Sequence, residues 1–598
     1  MKNKIKIASA SPEIKLCNPE YNARVCAECA KLADKEGSDI IVFPELVLTG
    51  ATAGDLFFQE LLLDAAESAL ELYIKETAAL AVMSFIGLPV RYDGVTYNAV
   101  ACISEGEIIG ITASGESTRH FSPSPKESIK VRFAAQNTEL GRNLIYGDEH
   151  TRADVFVKVG ADNVYSVDGV DIIVNPMAEA ECVGLARERE DYVREVSREL
   201  GVAFVTVGAG IGESGTDGIY ASARVVAMGG YVVAKSSLFD SEILYAELDL
   251  KSKKRAEALD FDEEQVRRFP FIPSKADDCR EACALAIEIQ SRSLAKRIER
   301  AYGKCAVIGV SGGLDSTLAL LVCARAMDIL GRERSSVIAV TMPCFGTTER
   351  TKSNALLLAE ELGCTVRTID IKAAVNQHFE DISHDAEKYD VVYENAQARE
   401  RTQILMDIAN AEDGLVIGTG DLSELALGFA TYNGDHMSMY CVNGSVPKTF
   451  MREIIRYAAE CEAAKGAKRL SDALVDVINT PVSPELLPTK DGECEQRTES
   501  IVGPYELHDF FLYYTVKYGY SPRKVLTLAE SVFEDYTRDE IKTYLDTFVR
   551  RFFSQQFKRS CLPDGPRVTE ISLSPRTSWQ MPSDVSGALW RENIKEND

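Results

Sequence analysis

The sequence lacks the features that would tie a chain of 598 residues to a membrane, to nucleic acid or to a secreted disulfide framework. No run of about 18 apolar residues occurs, so no membrane-spanning helix is expected. The opening stretch MKNKIKIASASPEIKL has no apolar core of the kind a secretory signal requires. Positive charge is scarce: 66 Lys+Arg stand against 92 Asp+Glu, a formal net charge of −26. Such a balance argues against nucleic acid or an anionic membrane as partner, yet leaves room for an anionic small molecule in a locally basic pocket. The 15 cysteines are dispersed rather than set at framework spacings, which reads as reduced thiols in a cytoplasmic protein. Cys26 and Cys29 form a lone CxxC inside a helical pattern with no second ligand pair, so both read as packed helix thiols. None of the six histidines shows metal-site spacing.

What is present is ordinary globular composition, 45% hydrophobic and 26% charged, long enough for two to four domains. Over residues 1–250, short β-rich runs alternate with helical stretches. IKIA near residue 5 and DIIVFPEL from Asp39 read as buried strands, with a helix between them that stops at Gly37. Two hairpins follow, one from Val95 around Glu105-Gly106 and one from Tyr220 around Gly229-Gly230. The pattern predicts a layered α/β sandwich. Residues 251–277 are charged and irregular and read as a linker. From residue 278 onward a long helix, then strands SSVIAVTMP, CTVRTIDI and GLVIGTG alternating with helices, predict a doubly wound parallel sheet. The last hundred residues read as mostly helical.

The most specific local feature is Gly309-Val310-Ser311-Gly312-Gly313-Leu314-Asp315-Ser316, a strand running through glycines and hydroxyls into a helix. Backbone N–H groups at a helix N-terminus cradle anions, and glycines let the backbone approach phosphates. The Walker lysine is absent, which argues against ordinary γ-phosphoryl transfer. Asp315 suits Mg²⁺, a hard cation that takes carboxylate and phosphate oxygens together.

The SGGLDS loop resembles that of the N-type ATP pyrophosphatases, which transfer AMP. The choice of substrate comes from segments farther on: ENAQARERTQILM from Glu394, Gly418-Thr419-Gly420-Asp421-Leu422-Ser423-Glu424, Tyr432-Asn433-Gly434-Asp435, Pro447-Lys448-Thr449, Phe557-Lys558-Arg559-Ser560 and Ser574-Pro575-Arg576. In this order they resemble the NAD synthetases, most closely the long bacterial glutamine-dependent type. Residues 1–250 resemble that family's nitrilase-like α-β-β-α glutaminase domain, and 278–598 its synthetase domain. The resemblance implies a carbon–nitrogen ligase that activates deamido-NAD with ATP as an acyl-adenylate, then amidates it. It implies that residues 309–316, Thr419 and Lys448 bind ATP, with Asp315 and Glu424 on Mg²⁺ and Asp315 and Lys448 serving the chemistry. Asn395, Arg399, Glu424, Phe429, Ala430, Thr431, Tyr432, Asp435 and Lys558 are implied to surround deamido-NAD. A homo-oligomer, an octamer in form, is implied as well.

The glutaminase half departs from the family pattern. That chemistry needs a Glu base, a Lys and a Cys nucleophile. Phe43-Pro44-Glu45-Leu46 matches the Glu motif, but Ser114 stands where the Lys belongs, and Lys126 lies twelve residues too late. The strand DVFVKV from Asp154 leads into Gly160-Ala161-Asp162 where a Cys-Glu-Asp turn is the family pattern. No cysteine occurs between Cys102 and Cys182, and Cys182 reads as a helix cysteine. Glu45 therefore reads as the inactive remnant of a glutaminase, with ammonia as the nitrogen source. The alternative is an ordinary glutamine-dependent enzyme with an unrecognised nucleophile.

Overall fold

The computed structural model describes residues 4–147, 153–160, 169–252, 254–258, 265–346, 349–480, 486–487 and 502–595. The chain divides into two compact units. Met1–Glu181, Leu185–Ser214 and Ile219–Asp262 form the first, and Cys182–Gly184, Gly215–Gly218 and Glu263–Asp598 the second. The change of unit after residue 262 falls inside the 251–277 segment read above as a linker. Among the described residues no helix is long and apolar enough to cross a membrane.

In the first unit β1 (Lys4–Ser9), β2 (Ile40–Val42), β3 (Met83–Tyr92), β4 (Val95–Ser104), β5 (Glu107–Ala113), β6 (Ile129–Phe133) and β7 (Gln136–Gly141) belong to one sheet. Strands β8 (Ile145–Tyr146), β9 (Val155–Val157), β10 (Ile172–Met177), β11 (Ala203–Gly208), β12 (Arg224–Met228) and β13 (Tyr231–Lys235) form a second. The last strand, β14 (Leu244–Asp249), returns to pair antiparallel with β1 at the edge of the first sheet. Ile5, Val42, Phe85, Val155, Val174 and Val205 interleave between the sheets. Helices α1 (Pro19–Lys35) and α2 (Glu60–Thr77) cover the outer face of the first sheet, and α3 (Leu185–Leu200) that of the second. This is the α-β-β-α sandwich.

Local chemistry accounts for these elements. Asn18 caps α1 by accepting from the Tyr21 N–H at 3.2 Å, and Pro19 pre-sets the first turn. Ala23, Cys26, Ala27, Ala30 and Ala33 make one buried stripe at helical spacing, so Cys26 is a small core residue. The β4–β5 hairpin turns at Glu105 (φ 48°) and Gly106 (φ 83°), both left-handed as a tight two-residue turn demands. Cys182 departs from expectation: it lies in irregular chain three residues before α3 begins, not in a helix.

The second unit holds five parallel strands, β15 (Ala306–Gly309), β16 (Val337–Thr341), β17 (Thr365–Thr368), β18 (Leu415–Gly418) and β19 (Tyr440–Cys441). Their order is β17-β16-β15-β18-β19, so the direction of winding reverses between β15 and β18. Ligands in such sheets lie beyond the carboxyl ends of the strands at that reversal. Helix α4 (Ala276–Arg300) precedes the sheet, and α5 (Leu314–Ile329) follows β15. Helices α6 (Glu349–Glu361), α7 (Lys372–Asp381) and α8 (Val391–Ala411) come before β18, and α9 (Leu422–Leu427) directly after it. Next are α10 (Lys448–Ala464), α11 (Lys468–Ile478) and α12 (Tyr505–Val516). Two further helices, Pro522–Glu530 and Arg538–Ser554, bear out part of the helical C-terminal expectation, but residues 560–587 are irregular. That stretch carries four prolines and few periodic apolar positions, so it is held by side-chain and backbone bonds instead. Among them, Thr569 Oγ1 donates to the Ser445 carbonyl (2.8 Å) and Arg576 Nη1 to the Leu562 carbonyl (2.9 Å).

Candidate active site

Two turns leave the sheet side by side at the winding reversal. The first follows β15 and enters α5 at Leu314, with Ser311 Oγ accepting from the Gly313 N–H at 3.2 Å and Ser316 Oγ donating to the Gly313 carbonyl at 3.2 Å. Gly312 is left-handed (φ 88°), which exposes successive backbone N–H groups at the start of the helix. Val310 and Leu314 point into the core, so these two offer only backbone to a ligand. The second turn follows β18 through Thr419 and Gly420 into α9. Asn443, itself buried, ties the turns together by donating to the carbonyls of Asp315 (2.9 Å) and Thr419 (3.1 Å).

Between the turns sits a charge cluster. The Lys448 ammonium, from the first position of α10 and 1% exposed, lies 2.6 Å from Asp315, 2.7 Å from Asp421 and 3.0 Å from Glu424. Burial works against its charge, yet the three carboxylates hold it well above the ordinary lysine value. Burial likewise raises Asp421 well above the carboxylate range and pushes Glu424 up to about 7. Burial is the main cause, and the neighbouring carboxylates add to it, so the cluster favours protonated Asp421 and Glu424 over three ionised carboxylates around one ammonium. Oxygens of Asp315, Asp421 and Glu424 all lie within 4.8 Å of one another. A hard divalent cation fits such an all-carboxylate set in charge and donor chemistry. Among the described residues this is the one group of metal-type donors, and no histidine joins it.

Asp421 is the member that residue reading assigned no role. Its Oδ1 accepts from the Glu424 N–H at 2.8 Å, capping α9. The signal lay in the D-x-x-E spacing at a strand-to-helix turn, which marks a capping residue and says nothing of its second oxygen.

The residues implied for deamido-NAD gather along α8 and the loop after α9. Asn395 Oδ1 accepts from Thr431 Oγ1 at 2.8 Å, and the Asp435 carboxylate accepts from the Thr431 N–H at 2.6 Å. Exposed Arg399 donates to the Tyr432 carbonyl at 3.3 Å. Tyr432 stacks on buried His436, with ring centroids 5.3 Å apart, and meets Phe557 at 5.6 Å. The guanidinium of Arg551 lies 5.8 Å from the centre of the Phe429 ring. Lys558, half-buried, donates to the carbonyls of Gly428 (2.8 Å) and Ala430 (2.6 Å), so its ammonium staples the start of this loop.

In the first unit, Glu45 sits in the turn after β2, and Gly87 of β3 runs beneath it so closely that any side chain there would strike the Pro44 and Leu46 backbone. Glu45 accepts from Asn98 Nδ2 at 2.5 Å and from the Ala178 N–H; burial pushes its carboxyl up to about 7. Gly160 faces it. With φ at +58° the backbone is left-handed, and a Cβ at this position would stand 3.5 Å from both Glu45 oxygens. Ser114 follows β5 directly, its N–H donating to the Asn98 carbonyl at 2.9 Å, while Lys126 is exposed on the surface. A different cation, Lys158, is buried at the end of β9 and donates to the Gly160 carbonyl (2.8 Å) and Asn175 Oδ1 (3.2 Å). Residues 161–163 of the expected turn lie outside the described residues. The Cys182 thiol accepts from Arg567 at 3.7 Å, and both belong to the second unit.

A five-stranded parallel sheet with carboxylates and a lysine at its winding reversal, preceded by a nitrilase-type sandwich, defines a two-domain nucleotide-using ligase. Residues 286–528 match the family described as NAD synthase and residues 6–257 the family described as carbon–nitrogen hydrolase. The chain is 33% identical to the glutamine-dependent NAD(+) synthetase of Mycobacterium tuberculosis, over 99% of this chain and 97% of that protein. It is 27% identical to that of Aquifex aeolicus, over 92% and 93% of the two chains. The crystal structure of a glutamine-dependent NAD(+) synthetase from Cytophaga hutchinsonii shares the fold, with TM-score 0.81 at 19% identity over 99% of this chain and all of that one. The chain therefore belongs to the glutamine-dependent NAD(+) synthetases, a family of ligases.

Proposed function

We propose that this enzyme makes NAD from deamido-NAD, ATP and ammonia through an acyl-adenylate, and that its nitrilase-like half does not hydrolyse glutamine. The nicotinate carboxylate attacks the α-phosphorus of ATP, the bond to the β-phosphate oxygen breaks, and pyrophosphate leaves. Ammonia then attacks the activated acyl carbon, loses a proton and expels AMP, leaving the amide. The first step gathers negative charge on a carboxylate, an α-phosphate and pyrophosphate together. The Gly312–Asp315 backbone at the start of α5 offers N–H groups to the departing pyrophosphate, and Lys448 offers a buried ammonium beside it. Asp315, Asp421 and Glu424 would hold Mg²⁺, which when bound supplies charge neutralisation at the phosphates. Asn395, Arg399 and the Phe429–Asp435 loop form the wall assigned to deamido-NAD.

The observation that carries the synthetase reading is the carboxylate–Lys448 cluster behind the SGGLDS turn. The observation that carries the silent glutaminase is Gly160, whose backbone occupies the left-handed turn opposite Glu45 with no side chain to act as nucleophile. Purified enzyme given ATP and deamido-NAD is expected to form NAD with ammonium, releasing AMP and pyrophosphate rather than ADP, and to release no glutamate from glutamine. The family relatives are named glutamine-dependent, which favours the opposite outcome. Robust glutamine-supported NAD formation that is lost in Cys182→Ala would overturn the proposal.

A further inference from the structure

Helix α10 begins without a cap of its own. Its flanking residue is Pro447, which has no side-chain oxygen, yet the first turn presents N–H groups that need partners. The partners come from elsewhere in the chain. The Lys448 N–H donates to Ser423 Oγ at 2.8 Å. The Thr449 N–H and Oγ1 donate to Asp509 Oδ2 at 3.0 and 2.7 Å. Ser423 in turn donates its hydroxyl hydrogen to Asp509 Oδ1. Asp509 lies within α12 and is 1% exposed, and Ser423 is equally buried on α9.

We infer that Asp509 is a positioning residue that caps α10 in trans and, through Ser423, fixes the start of α10 against the start of α9. The inference rests on the site reading above, because those two starts carry Lys448 on one side and Asp421 and Glu424 on the other. An acidic group at a helix N-terminus is favoured by the N–H groups and the dipole there. The geometry adds a sharper consequence. Lys448 is the first residue of its helix, so its reach to three carboxylates at 2.6–3.0 Å depends on where that first turn is pinned. The hydrogen bonds of Asp509 run to Ser423 and Thr449, at the starts of α9 and α10. Its loss should therefore disturb chiefly the Lys448 and metal-type end of the reaction, with the Asn395, Arg399 and Tyr432 side of the deamido-NAD site less affected.

An asparagine at this position keeps the shape but turns one acceptor oxygen into a donor facing donors. With saturating ammonium, Asp509→Asn should lower kcat by about 10–100-fold, as loss of outer supporting partners does. The KM for deamido-NAD should stay within about twofold on the same scale. Ser423→Ala, which removes the hydroxyl bridging Asp509 to the Lys448 N–H, should lower kcat in the same direction. The double variant should be no worse than the poorer single one, since both break one linkage. A wild-type kcat per folded molecule in Asp509→Asn, with only the unfolding temperature reduced, would make Asp509 merely structural and overturn the proposal. If Asp509→Asn does not fold, Ser423→Ala decides: wild-type kcat in that variant overturns it equally. Lys448→Ala serves as the reference. Full turnover there would sink the site reading itself, whereas a dead Lys448→Ala beside a fully active Ser423→Ala would sink the trans cap alone.

Discussion

Three carboxylates surround one buried ammonium, and burial raises two of them, Asp421 and Glu424, above their ordinary values. Asp315 is the most open of the three, with a quarter of its side chain exposed, and stands at the first turn of α5 where the pyrophosphate is assigned. Asp315→Asn leaves Lys448 with Asp421 and Glu424 as partners and thins a crowded acidic cluster, so the folded state should be no less stable. Catalysis should behave oppositely. Losing a metal-type carboxylate at a phosphoryl centre costs on the order of several kcal/mol of barrier, which is more than a hundredfold in rate. The expected result is NAD formation reduced by at least about that factor under saturating ammonium and ATP, beside an unchanged or raised unfolding midpoint. Near-normal turnover in Asp315→Asn would remove this residue from the chemistry.

At the scale of elements, the loop from Gly428 to His436 relies on side chains as well as on its own backbone bonds. It is held from outside, by Asn395 on Thr431, Arg399 on Tyr432 and Lys558 on two carbonyls. Lys558→Ala should let the Gly428–Ala430 stretch relax, raising the KM for deamido-NAD while that for ATP changes less. Hydrogen bonds from a charged donor are worth about 1.5–3 kcal/mol, so a rise of roughly tenfold or more is expected. Equal losses for both substrates would point to a general folding defect instead. The same loop shows what residue patterns carry and what they do not. The strands, the glycine turn after β15 and the order of segments were legible because apolar runs bounded by glycine have one common structural use. Lys558 was legible as a basic residue in a motif, but not as a staple, since a motif names no acceptor. Asp421 was legible only as a member of the GTGDLSE motif; its cap on α9 and its ion pair with Lys448 came from the structure. Asp509 carried no local signal, because its partners lie 60 and 86 residues away and only packing brings them together. Gly160 was legible as the residue after the DVFVKV strand where the resemblance expects the nucleophile turn, but its left-handed φ and its place opposite Glu45 were not.

For the molecule as a whole, the proposal of a silent first unit makes Glu45 a stability liability rather than a tool. Its carboxyl is raised to about 7 from the ordinary value of 4.5, chiefly by burial. Between those two values the folded state keeps a proton that the unfolded chain has released, so stability falls as pH rises across the window. Below 4.5 the penalty is absent, and above 7 it is fully present, at roughly 3 kcal/mol for a shift of that size. Glu45→Gln imitates the protonated form at every pH. The variant and the wild type should therefore unfold alike below about pH 4, and a gap should open by pH 8 with the variant the more stable, by about 1–3 kcal/mol. Ammonium-supported NAD formation should be unaffected at either pH, since no step assigned to the second unit uses Glu45. An absent gap, or one of opposite sign, would mean that Glu45 is charged and well compensated in the folded state. A loss of activity with ammonium would mean that the first unit still takes part in the chemistry.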